Sequence, residues 1–169
     1  MTHSTSTAAV PASGAAVAIG PFKLRARSLA FGLLLLLGLQ FILGIVTNLY
    51  ATIPATHPGS GASNFFVGLV QGLGWSLSDG AWALQLHVLV GLGVILLGIT
   101  LVYVAYATHE RIWMICASIG GVAMLSAGFS GAVFVNDGQG LSSLLMSVWF
   151  LVALISFVVG LYLTPRFTK

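Results

Sequence analysis

Inside an apolar stretch running from 81 to 106, His87 is the sole acidic or basic residue. Keeping an ionisable group in hydrocarbon is costly, so its presence marks a candidate site. An imidazole there can ligate a metal, most directly a haem iron, or hydrogen-bond to a neighbouring helix. Gly91, four residues on, clears the same helix face beside it. Gln40, Gly44 and Asn48 follow one another at four-residue spacing in an earlier run and so share one helix face. Met146 opens a third option, since a thioether can complete the coordination of a histidine-ligated haem. His57, beside Pro58 in a polar stretch, is the fallback ligand, and as a loop histidine it has the alternative of simple solvation.

The elements that must position these residues follow from composition. Hydrophobic residues make up 58% of the chain and charged residues 5%. A soluble domain carries about 25% charged residues, so the surface of this protein is built for lipid. Four runs, at about 28–50, 81–106, 112–135 and 141–163, reach the roughly 20 residues needed to cross the hydrocarbon layer. Helices are the expected spanning form, because each segment must satisfy its own backbone hydrogen bonds in lipid. The sequence therefore predicts an all-α integral membrane protein, a four-helix transmembrane bundle over 21–169, after a tail at 1–20 expected to be disordered. Lys23, Arg25 and Arg27 precede the first run, but that run is long enough to span and is read as a retained helix, not a cleaved signal.

Those three residues, Arg111, Arg166 and Lys169 fall on one side of an even number of crossings, which predicts a multi-pass cell-membrane protein with both termini cytoplasmic. The net charge of +3 thus reflects topology, and nucleic acid is not an expected partner. In the first outer loop, Ser63 or Asn64 can cap a short interfacial helix bearing Phe65, Phe66, Leu69, Val70 and Leu73. Cys116 stands alone, so no intramolecular disulfide is possible.

The polar residues concentrate in the outer half of the bundle: Gln40, Gly44, Asn48, His87, Ser126, Ser130, Ser142, Ser143, Met146 and Ser147. By helical rise, His87 lies roughly 9 Å and Met146 roughly 8 Å below the outer helix ends, so both belong to one layer. A pocket opening outward beneath the 65–73 segment would account for this layering. Packing is the plainer explanation for Gly91, Gly98, Ala123, Ala127 and Gly131, because small residues at this spacing let membrane helices approach.

Leu39-Gln40 followed by Leu43-Gly44, a substantial outer loop, and a second helix carrying His87 and then Gly91 resemble one four-helix half of the heme A synthase family. That resemblance implies haem ligation by His87. The last helix has no histidine and the outer loop no cysteine pair, so the family's oxidation chemistry is not implied. Three functions follow as expectations. One is a b-type haem protein for electron transfer or haem handling, with His87 and Met146 as axial ligands and Gly91, Gln40 and Gly44 around the porphyrin. The second is a non-catalytic accessory or scaffold subunit, with other membrane subunits or a second copy of the chain as partner. The third is a quinone- or lipid-binding protein that uses His87 and Gln40 as hydrogen-bonding groups. Transport is disfavoured, because the spans contain no carboxylate that could couple it.

Overall fold

A computed structural model describes residues 21–138 and 140–164, all of whose regular structure is helical: α1 Pro21–Tyr50, α2 Phe65–Ser78, α3 Trp82–Ala107, α4 Arg111–Asp137 and α5 Gly140–Leu163. Four of these, all but α2, are long and apolar enough to cross a membrane, as the apolar runs require. The expected tail at 1–20 and the two basic residues Arg166 and Lys169 lie outside the described residues. Helix α1 begins at Pro21, well before the apolar run. Hydrophobicity sets where a helix enters lipid, not where hydrogen bonding begins, and a proline is tolerated in the first turn. The extension is anchored: Ala26 and Ala30 are fully buried, and Arg27 donates to the Thr164 carbonyl at 2.8 Å, tying the start of α1 to the end of α5.

The long helices form a ring in the order α1, α3, α4, α5, with α2 lying across one end against α3 and α4. The α4–α5 seam is the most extensive and α1–α5 the thinnest, while α1 and α4, like α3 and α5, are diagonal. Glycines make the close seams. A Cβ on Gly120 would come within 2.5 Å of the Phe157 ring, and one on Gly160 within 3.1 Å of Cys116. At Gly98 the added carbon would overlap the Met124 methyl. These positions let backbones approach and large side chains seat against them.

The fully apolar core occupies one half of the ring, at the end where α1 begins. Leu33, Leu37, Leu101, Trp113, Ala117, Met124, Ala153 and Phe157 pack there, with relative exposures of 5% or less. At the other end α2 is capped by Asn64, whose side chain accepts from the Val67 amide at 3.1 Å. The short helix foreseen in this loop therefore forms, but its inward face is Gly68, Leu69, Gly72 and Ser76, while Phe66 and Val70 are exposed. Gly59, at φ +103°, crosses α2 so closely that a Cβ would meet the Gly68 carbonyl at 2.5 Å.

Candidate functional site

Two groups of polar residues lie in the half of the bundle nearer α2, on different seams. On the α1–α3 seam, the Gln40 side-chain amide donates to the His87 carbonyl at 3.0 Å and lies 3.2 and 3.3 Å from the two His87 ring nitrogens. About two turns further along α1, Thr47 donates to the Ala83 carbonyl at 3.0 Å. His87 is half-buried, and its Cε1 would be 3.3 Å from a Cβ on Gly44. The expected pairing of His87 with Gln40 and Gly44 is thus present, and it is close. Gln40 Oε1 is buried without a partner.

The same geometry assigns the space beside Gly91. A Cβ there would meet Gln40 Nε2 at 3.0 Å, so the clearing next to His87 is filled by the Gln40 amide and is not open to a porphyrin face. Met146 belongs to the other side of the ring: its Sδ lies 3.2 Å from where a Gly131 Cβ would stand, on α4. His87 faces α1 and Met146 faces α4, and their helices are diagonal. Helical rise places the two at one height, but the directions in which they point do not bring them together. In this arrangement the residues proposed for a His/Met haem site do not fit the group. His57 does not fit as a fallback ligand either, because both its ring nitrogens lie against carbonyl oxygens, Nδ1 2.9 Å from Pro58 O and Nε2 3.0 Å from Val135 O.

The second group surrounds a groove of about 800 Å³ between α4 and α5. Phe65, Leu125, Phe129, Val133, Leu145 and Trp149 give it apolar and aromatic walls, and Ser126, Ser130 and Ser142 give it hydroxyls. Phe65, the first residue of α2, closes one side, its ring 5.8 Å from that of Phe129. The hydroxyls are not equivalent. Ser130 donates back to the Ser126 carbonyl at 2.8 Å, as membrane serines commonly do. Ser142, only 7% exposed, makes no side-chain hydrogen bond among the described residues, so its donor and its lone pairs remain unused in the groove wall. The serines were legible as a polar layer in the sequence; the seam they share was not.

Comparison with protein-family models, with curated proteins and with solved structures finds no match to this chain.

Proposed function

We propose that this is a membrane protein that binds an amphiphile, one with a carbonyl or hydroxyl head and an apolar tail, in the α4–α5 groove. The observation that carries this reading is Ser142: a residue more than nine-tenths buried whose hydroxyl has no hydrogen-bond partner among the described residues, in a groove wall that it shares with Ser126 and Ser130. Ligand sites share this make-up of apolar and aromatic lining with a few placed polar groups, and this groove is open along its outer side, where Phe65, Leu125, Phe129 and Leu145 are exposed. A head group hydrogen-bonds to Ser142 and Ser126, its ring or ester packs against Phe65, Phe129 and Trp149, and its tail leaves sideways into lipid. An isoprenoid quinone and a glycerolipid both have this chemistry. In the accompanying topology both termini are cytoplasmic and α2 lies in the outer interface of the cell membrane, because the basic residues stand in the first turns of α1, at the first residue of α4 and after α5. His87 and Gln40 join α1 to α3.

The test is direct. Protein purified in mild detergent is extracted with organic solvent and the extract analysed by mass spectrometry, then a short-chain quinone and a fluorescent phospholipid are titrated separately into delipidated protein. Quenching of Trp149 by the quinone, lost in Ser142→Leu, supports the quinone source; saturable phospholipid binding lost in the same variant supports the lipid source. Binding of neither, or binding indifferent to Ser142→Leu and to Ser126→Leu, overturns the reading.

A further inference from the structure

The polar groups in the wall of the α4–α5 groove are neutral donors. Ser126 and Ser130 stand on α4 and Ser142 on α5, and apart from the Trp149 indole no other lining side chain carries a polar atom. Ser130 already donates to the Ser126 carbonyl. The Ser142 and Ser126 hydroxyls have no partner among the described residues and are the donors left for an occupant. A hydroxyl can satisfy a neutral carbonyl, whereas an anion taken out of water needs a counter-charge as well.

Among the described residues, no basic group reaches the groove to supply one. Lys23, Arg25 and Arg27 stand in the first turns of α1 and Arg111 at the first residue of α4, at the end away from α2. By helical rise Arg111 is about 22 Å from Ser126, far beyond ion-pair contact. On the side of the groove, both ring nitrogens of His57 lie against carbonyl oxygens, those of Pro58 and Val135. The charge beside the mouth is acidic: Phe65 lines the groove and also a small cleft whose wall includes Asp137. The free amides at the start of α5 make a weak positive pole, but the adjoining end of α4 is a negative pole of equal size and carries the Asp137 carboxylate. A phosphate at this mouth meets like charge and no cation.

The walls also separate one uncharged head from another. Three aromatic side chains from three elements line the space, Phe65 of α2, Phe129 of α4 and Trp149 of α5. The Phe65 and Phe129 rings have centroids 5.8 Å apart and planes at 54°. Aromatic faces and edges pack against a flat ring in defined orientations, a gain that a flexible glycerol ester lacks. Resting on the groove being an amphiphile site, we propose that its occupant is an uncharged amphiphile with a planar, carbonyl-bearing ring, the chemistry of an isoprenoid quinone, and that anionic lipid head groups are rejected. Ser142 and Ser126 donate to the ring carbonyls, the three aromatic residues hold the ring, and the tail leaves by the lipid-facing side.

The test is a competition on the full chain in mild detergent, following the part of the tryptophan quenching by a short-chain quinone that Ser142→Leu removes. Three competitors are added separately: a short-chain phosphatidylglycerol, a short-chain diacylglycerol and an alkylbenzene with the tail of the quinone. Each should bind about tenfold or more weakly than the quinone, the first for its charge, the second for want of a flat ring and the third for want of carbonyls. Asp137→Lys should strengthen phosphatidylglycerol binding about two- to fivefold and leave quinone affinity within about twofold of the wild type. Equal competition by phosphatidylglycerol overturns the charge selection, and equal competition by the diacylglycerol or the alkylbenzene overturns the carbonyl-bearing ring. In each of those cases binding that depends on Ser142 leaves the groove reading standing. If no quinone quenching depends on Ser142, direct titration of a fluorescent phospholipid separates the two. Saturable binding lost in Ser142→Leu then overturns the quinone assignment alone, and its absence overturns the groove reading with it.

Discussion

The two halves of the helix ring solve the problem of holding membrane helices together in different ways. At the end where α1 begins, glycines seat large apolar side chains, as Gly120 does Phe157 and Gly98 does Met124, and the interior is apolar but for the buried Trp113 indole N–H, which has no partner among the described residues. In the half nearer α2, contact is made by single hydrogen bonds, Gln40 to His87 and Thr47 to Ala83, and a groove with serines in its wall remains between α4 and α5. Lipid tails are as apolar as leucine, so close packing, not expulsion from water, stabilises the first half. The second half forgoes part of that packing and keeps space. Close packing and open space thus lie at opposite ends of the same helices.

The largest effect that would break this comparison is expected in the packed half. Phe157→Ala removes a fully buried ring from the face of Gly120 and should cost about 3 kcal/mol or more, read as a fall in the midpoint of denaturation in mixed micelles. If Ser142→Leu destabilises as much, the division of labour is wrong. Next in size is the polar seam: Gln40→Leu or His87→Leu should each cost about 0.6–1.7 kcal/mol, and a double-mutant cycle should show the pair to be coupled. Haem added to the purified protein should give no low-spin spectrum that depends on both His87 and Met146, because those side chains face different neighbours. A Soret band with sharp reduced bands, abolished by either substitution, would show that the ring rearranges around a porphyrin. Smallest is the thin closure of the ring. Arg27→Gln, which removes the charge from the bond to the Thr164 carbonyl, should lower stability by about 1 kcal/mol or less and leave groove binding unchanged in a quinone titration.

What the sequence made legible follows the same division. The four spans and the short helix in the first loop could be read because apolar run length and an Asn64 cap are local signals. Gln40, Gly44 and His87 could be grouped because spacing gives the face on each helix and rise gives the depth. Neither quantity says which neighbour a face meets. Met146 shares the depth of His87 yet turns to Gly131, and Gly91 clears space that Gln40 then fills. The groove was hidden for the same reason, since Ser126, Ser130 and Ser142 become one site only when α4 and α5 are set side by side. The early start of α1 is not legible in an apolar run, because its first turns carry Lys23, Arg25 and Arg27 and the apolar boundary lies inside the helix.

The bond between Gln40 and His87 also has a history within each molecule's synthesis. The partners are 47 residues apart, and α1 is complete before α3 exists. At about 5–20 residues per second, a first helix already in the bilayer waits roughly 2–9 seconds for the carbonyl that receives its amide. The hairpin of α4 and α5, joined by a turn at Gly138, closes first beside its turn, where Gly131 meets Met146, and last where Gly160 meets Cys116. During that interval the Gln40 amide lacks the carbonyl partner that α3 later brings.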